Sequence, residues 1–426
     1  MLKRIVASAV VAASLPFMSA LADQLAVIAP EKVGLSVERL QRLTTALQAE
    51  VDAGQMPGAV VAIARKGQVA YLQTFGWTDP VRKTPMAPDS IFSIASMTKP
   101  MVSVAIMMLH EEGKLQLSDP IGKYLPQLAK MELGSVQTDP AGKATVERTP
   151  PKRQPTVQDL LRHTAGFPYG GIRRDHELIK LWPAGSVDSA FTYTGPEFLE
   201  KLSQLPLQHE PGTVWDYSVA VDVQGFIVEA VTGKSLSAFL EERIWKPLDM
   251  VDTGFSVPEA KKARYALAFA NDPVSGKPQS IPHASGKPIK FDCGGGCAVS
   301  TALDYLRFAQ MLVNGGTLDG KRLLSRKTIE LMASDQLGPE VRARTTNAIL
   351  NEGYSFGLGF AVRSQTGIAP VAGTTGDYNW GGAYGTFFWV DPKEEMAVVY
   401  MVAAPGEARA RLRTLVRNMV LQSIAD

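Results

Sequence analysis

One serine–lysine pair in this 426-residue chain stands at a spacing that could do nucleophilic chemistry. Ser96-Met97-Thr98-Lys99 is the only Ser-x-x-Lys present. Residues three apart share a face of a helix, so the amine of Lys99 can reach the hydroxyl of Ser96. A serine hydroxyl is a weak nucleophile until a neighbouring base takes its proton. The positions that follow, Met101, Val102, Ala105, Ile106, Met108 and Leu109, are apolar nearly all round the helix, as a buried central helix requires. A charged lysine beside such a helix is costly to bury, and burial pushes an amine towards a usable base. Ordinary residue usage yields roughly one chance Ser-x-x-Lys in a chain this long, so the plain alternative is a helix cap with a solvated lysine.

Other chemistries find less support. There is no Gly-x-Ser-x-Gly, so the α/β-hydrolase elbow is missing. His110, His176 and His209 each precede a glutamate, yet none opens His-Glu-x-x-His, which excludes a zincin. Cys293 and Cys297 are the only cysteines, in Cys-Gly-Gly-Gly-Cys with no histidine nearby, which falls short of a metal ligand set. Three glycines let the backbone turn tightly enough for a disulfide, while two buried thiols fit the spacing equally well. No metal and no organic cofactor is expected. A formal net charge of +2 gives no reason to invoke nucleic acid.

The elements that must position these residues are legible in outline. Ser36 caps a helix with Leu40, Leu43, Leu47 and Val51 on one face, stopped by Gly54. Strands are expected at residues 59–64 and 69–75, joined by a turn at 65–68, and again at 385–390 and 396–402 around Asp391-Pro392-Lys393. A helix over 407–423 closes the chain. The two ends therefore match, helix plus antiparallel strands and antiparallel strands plus helix, and together would make one sheet with the middle of the chain inserted. Helices are expected within that middle at 99–112, 156–163, 195–204 and 236–244. The polar, proline-rich stretches 139–155 and 271–288 read as exposed loops.

The surroundings of the serine carry a family resemblance. Phe92-Ser93-Ile94-Ala95-Ser96-Met97-Thr98-Lys99 resembles the nucleophile motif of the serine β-lactamase and penicillin-binding superfamily, in its class C and family VIII carboxylesterase branch. Residues 113–120, 159–168 (Asp-Leu-Leu-Arg-His-Thr-Ala-Gly-Phe-Pro) and 294–304 are similar to later segments of that superfamily, in the same order. The resemblance implies an α+β, β-lactamase/transpeptidase-like fold: an antiparallel sheet flanked by helices, carrying an inserted helical lobe. It places a single catalytic domain over 23–426, with an α/β lobe at about 23–100 and 345–426 and a mainly helical insertion at about 101–344. It also makes Tyr217, in Trp215-Asp216-Tyr217-Ser218, the tyrosine that shuttles the proton beside Ser96 and Lys99. By composition alone Tyr217 would be a half-buried aromatic with its hydroxyl satisfied. His163 resembles a structural histidine and receives no catalytic role.

Two departures bear on substrate. The superfamily's Lys-Thr-Gly is replaced by Trp380-Gly381-Gly382, the form seen in family VIII esterases, just ahead of the strand at 385–390. The following Ala383 would give one oxyanion N–H and Ser96 the other. A lysine would attract a substrate carboxylate, whereas tryptophan does not. Val219 stands where β-lactamases carry an asparagine amide. A small-molecule neutral ester is therefore the expected partner. The alternatives are a β-lactamase or D-amino-acid peptidase, an acyltransferase, and a non-catalytic penicillin-recognising or wall-binding module.

The first residues set an expected compartment. Lys3 and Arg4, the apolar run 5–17 and Ala20-Leu21-Ala22 read as a cleaved signal peptide over 1–22. The run is too short for a comfortable membrane span. A periplasmic or secreted protein without a span after cleavage follows.

Overall fold

The computed structural model describes residues 27–426, apart from 142–143, 173–175 and 346–348, so the expected signal segment lies outside the described residues. Its main sheet has eight antiparallel strands: β1 (Gly58–Arg65), β2 (Gln68–Asp79), β3 (Thr84–Pro85), β4 (Tyr354–Phe356), β5 (Ala361–Arg363), β6 (Tyr378–Gly381), β7 (Phe387–Asp391) and β8 (Met396–Val402). Their order across the sheet is β4-β5-β6-β7-β8-β1-β2-β3. The join between the two ends of the chain is the β1–β8 pair, with Val61 opposite Tyr400.

β1 and β8 are buried along their whole length because helices cover both faces. On one face Ala59, Val61 and Ile63, with Trp389, Val398 and Tyr400, meet α1 (Val37–Asp52) and the C-terminal helix Ala408–Leu421. Ser36 caps α1 by accepting a hydrogen bond from the Arg39 N–H at 3.2 Å, and Leu40, Leu43 and Leu47 form its buried stripe. Truncating one such leucine to alanine costs about 2–5 kcal/mol. On the other face Val60, Ala62, Phe388 and Val399 join the larger core that contains α2 (Thr98–Glu111), α3 (Ala220–Thr232) and α4 (Ala302–Val313). The C-terminal helix Ala408–Leu421 is α5.

Two expectations are corrected. The stretch 139–155 is not all loop: Leu133–Thr138 and Ala144–Thr149 pair as a hairpin, Val136 opposite Val146. The second of these strands is exposed throughout, so backbone pairing holds it and no apolar alternation announces it. Second, Trp380 and Gly381 do not merely precede a strand. They end β6, which lies between β5 and β7, and the chain turns before β7.

Candidate active site

Ser96 sits where a strand breaks sharply into a helix. Phe92–Ser93 pairs with Val299–Ser300, and the Ile94 N–H donates to the Ala298 carbonyl at 3.0 Å. Ala95 then takes a left-handed φ of 44°, unusual for a residue with a side chain. The Thr98 hydroxyl steadies this kink by donating to the Ala95 carbonyl at 2.7 Å and accepting from the Ala298 N–H at 3.0 Å. The Tyr305 hydroxyl of α4 holds the Met97 carbonyl at 2.8 Å. Ser96 is left partly exposed at the N-terminal end of α2.

Every residue of α2 from Thr98 to Leu109 is buried, so Lys99 enters the site from inside the protein. Its Nζ donates to the Ser96 Oγ at 3.2 Å, to the Gly295 carbonyl at 2.5 Å and to the Tyr169 hydroxyl at 3.3 Å. The same amine lies 4.6 Å from the centre of the Tyr217 ring. Ser96, Lys99 and Tyr217 thus share one site, but the tyrosine hydroxyl that the lysine reaches is that of Tyr169. The Tyr217 hydroxyl instead accepts from the Trp380 Nε1 at 3.3 Å. Trp380 is buried and packs its ring 5.2 Å from that of Tyr217 and 5.3 Å from that of Phe356. His163 supports Tyr217 from behind at 4.8 Å and bonds the Ser218 hydroxyl through Nδ1 at 3.2 Å. Burial, and then the charge of Lys99, holds its imidazole well below its ordinary range, which suits a neutral packing residue. Val219 is fully buried and offers no polar group.

A polar chain continues behind the lysine. The Tyr169 and Ser186 hydroxyls are 2.5 Å apart, and Ser186 donates to Asp222 Oδ2 at 2.5 Å. The Gly295 N–H donates to Asp222 Oδ1 at 2.8 Å, which closes the circuit back to the lysine. Burial first, then the nearby Asp222 charge, pushes the Tyr169 phenol well above its usual range, so it remains protonated. Burial likewise raises Asp222.

The turn after β6 is pressed onto the backbone that leads into Ser96. A side chain at Gly382 would lie 2.2 Å from the Ile94 carbonyl, and the Thr386 hydroxyl donates to that carbonyl at 3.3 Å. Two arginines of α5 tie the turn from outside. Arg409 donates to the Ala383 carbonyl at 2.7 Å. Arg413 donates to the carbonyls of Gly385 at 3.1 Å, Thr386 at 3.0 Å and Gly382. A side chain on Gly381 would meet the Arg413 guanidinium carbon at 2.8 Å, which explains the first glycine of Trp-Gly-Gly. Ala383 itself is exposed on the turn.

Comparison with known proteins matches residues 43–420 to the beta-lactamase family. The chain belongs to that family. An uncharacterised protein of Mycobacterium tuberculosis is 36% identical over 367 residues, spanning 82% of this chain and 86% of that protein. Esterase EstB of Burkholderia gladioli is 28% identical over 367 residues, with the same 82% and 86% coverage. Among solved structures, EstCE1, a hydrolase with promiscuous acyltransferase activity, matches with a TM-score of 0.72 at 26% identity, covering 90% of this chain and 98% of its own. The β-lactamase/transpeptidase-like fold expected from the sequence is the fold observed, and the relatives make this a serine hydrolase of that superfamily.

Sequence reasoning on this beta-lactamase-family chain missed Tyr169, Ser186, Asp222, Gly295 and Arg413. Asp222 carried a signal: it is a carboxylate inside the apolar run Ala220-Val221-Asp222-Val223, as anomalous as Lys99 in α2. Tyr169 lies six residues beyond His163, immediately after the segment 159–168 already singled out. Arg413 gave none, because its partners are carbonyl oxygens. The two cysteines, open between thiols and a bridge, are disulfide-bonded with Cα atoms 5.3 Å apart.

Proposed function

We propose that this protein is an exported carboxylesterase that cleaves small, neutral or short-chain esters through an acyl-enzyme on Ser96. The observation that carries the reading is the 3.2 Å contact of a buried Lys99 amine with the Ser96 hydroxyl, in a site whose Tyr217 hydroxyl is held by a buried Trp380. In the reaction the Ser96 oxygen attacks the ester carbonyl while its proton passes to the Lys99–Tyr217 pair. In this reading the N–H groups of Ser96 and Ala383 stabilise the oxygen that becomes negative. The alcohol leaves with the proton, and water then attacks the acyl carbon and frees Ser96. A partly exposed serine at the N-terminus of α2 also gains from the positive end of the helix as that charge develops.

Neutral substrates follow from Trp380-Gly381-Gly382, where Trp380 supplies an apolar wall and a hydrogen bond to Tyr217 and no positive charge. The esterase relatives point the same way. Export is supported by the signal-like first residues and by a disulfide, which persists in oxidising compartments.

The test compares p-nitrophenyl acetate, butyrate and octanoate with a chromogenic cephalosporin, using Ser96→Ala as control. Fast turnover of the short esters that disappears in the variant is the expected result. Cephalosporin turnover far above ester turnover would replace the esterase reading with a β-lactamase one. Activity that survives Ser96→Ala would remove Ser96 as nucleophile.

A further inference from the structure

The Cys293–Cys297 disulfide closes a five-residue ring, Cys-Gly-Gly-Gly-Cys, whose middle residue touches the site on both sides. Gly295 accepts from the Lys99 amine through its carbonyl at 2.5 Å and donates to Asp222 through its N–H at 2.8 Å. It is the joint between the lysine and the buried acid. There is no room for a side chain here: a Cβ on Gly294 would lie 2.5 Å from the Val221 carbonyl, and one on Gly295 would lie 1.9 Å from the Ser186 hydroxyl. The joint must therefore be glycine, and glycine loses more freedom on being fixed than any other residue. Three in a row would leave the carbonyl free to swing.

The ring is held where such freedom matters. Both cysteines are fully buried. The N–H groups of Gly296 and Cys297 turn back onto the Cys293 carbonyl at 3.3 and 3.2 Å. Beyond Cys297 the chain is tied to the nucleophile's own kink, through Ala298 to Ile94 and Thr98 and through Val299 to Ser93. Before Cys293, the Asp292 carboxylate anchors the chain to the Ser237 N–H at 2.9 Å. The sulfur bridge connects these two anchorages covalently across the three glycines.

We propose that this disulfide is a positioning element of the active site: it fixes the Gly295 carbonyl so that Lys99 points at Ser96, and the hydrolase is fully active only when the bridge is closed. The proposal rests on the reading of Ser96 and Lys99 given above. A dithiol opens the bridge by giving it two electrons and two protons; two cysteine thiols form and the dithiol closes to its own cyclic disulfide. The carbonyl then loses the cross-link that braces it, and the amine loses the fixed acceptor that aims it at Ser96.

The experiment is a steady-state pH profile of p-nitrophenyl butyrate hydrolysis by the parent and by Cys293→Ala/Cys297→Ala, with Ser96→Ala as control. The expected result is a kcat at least tenfold lower at every pH tested, with KM within twofold. A purely structural bridge would lower the melting temperature and leave that profile in place. Should the double variant not fold, the parent is titrated with dithiothreitol under native conditions. Free thiols are counted by alkylation and mass spectrometry, and activity must fall in step with opening and return on reoxidation. A bridge-free protein whose kcat and pH profile stay within twofold of the parent overturns the proposal and leaves the site assignment standing. A parent without ester turnover, or turnover that survives Ser96→Ala, overturns the site assignment itself.

Discussion

The sharpest consequence of the geometry concerns Arg413, a residue that is not expected to touch substrate. Its guanidinium spans three carbonyls of the turn that carries Ala383, those of Gly382, Gly385 and Thr386. Replacing it with methionine keeps a long apolar stem beside Phe387, over whose ring the guanidinium sits at 5.8 Å, and removes all three donors. Hydrogen bonds to a charged group contribute about 1.5–3 kcal/mol each, but little of that reaches the transition state. Other ties survive, among them Arg409 on the Ala383 carbonyl at 2.7 Å, the Gly382 N–H on the Thr386 carbonyl at 2.8 Å and the Gly385 N–H on the Gly382 carbonyl at 3.0 Å. Outright loss of an oxyanion donor costs about a hundredfold to a thousandfold, which sets the ceiling. A loosened turn should lose part of it, about 1.4–2.8 kcal/mol, or ten- to a hundredfold in kcat. KM should stay nearly constant, because the donor acts on charge that appears only in the transition state. The assay is p-nitrophenyl butyrate kinetics at 25 °C, crossed with Gly381→Ala in a double-mutant cycle. A methyl at 381 must displace the guanidinium in the parent, 2.8 Å from its central carbon, but meets a flexible thioether in the variant. The second substitution should then cost clearly less in the Arg413→Met background. A kcat within twofold of the parent, or strict additivity, would refute the clamp.

Trp380→Lys should lower KM for an anionic cephalosporin and at the same time lower kcat for esters, since the Tyr217 hydroxyl loses its indole donor; an unchanged cephalosporin KM would discredit the account of substrate charge. Two buried groups should give the stability–pH curve opposing slopes. Burial brings His283 down to about 4, so between that pH and about 6.5 the unfolded chain binds a proton that the folded one does not. Its contribution is intact above that window and lost as pH falls through it, by about 3 kcal/mol at most. Burial pushes Asp304 up to about 6, so from about pH 4 to 6 the folded chain holds a proton that the unfolded one releases. That contribution is present at low pH and lost as pH rises, again by about 3 kcal/mol at most. In urea unfolding from pH 4 to 7, Asp304→Asn should make stability climb with pH and His283→Gln should make it fall. A curve unchanged in either variant removes that group from the balance.

Much of the sheet could be read from the chain because its central strands alternate between two buried faces. Val60 and Ala62 go one way, Val61 and Ile63 the other, and the resulting apolar run is bounded by turns. α1 was equally plain, since a capping serine and three leucines on one stripe are local signals. β4, β5 and β6 were not foreseen. They are only three or four residues long, and neighbours supplied by the rest of the sheet hold them. The hairpin of Leu133–Thr138 and Ala144–Thr149 failed for the opposite reason, as its second strand buries no residue and so has no pattern to show.

The candidate site divides along a related line. Ser96 and Lys99 were visible because their side chains meet each other, and the spacing of two side chains on a helix is a property of sequence. The pieces that steady them act through main-chain atoms: the Gly295 carbonyl on Lys99, the Ile94 carbonyl under the turn, the carbonyls that Arg413 gathers. A backbone atom leaves no mark of its own in a sequence. What it leaves is the residue type that permits close approach. Gly295 clears Ser186, Gly382 clears Ile94 and Gly381 clears Arg413, each at under 3 Å from a missing Cβ. The Gly-Gly-Gly and Trp-Gly-Gly segments are therefore best understood as seats for neighbouring groups. A substitution there should injure the reaction through the partner that is pushed away: Ser186 and Asp222 in the first case, the Ile94 carbonyl and Arg413 in the second.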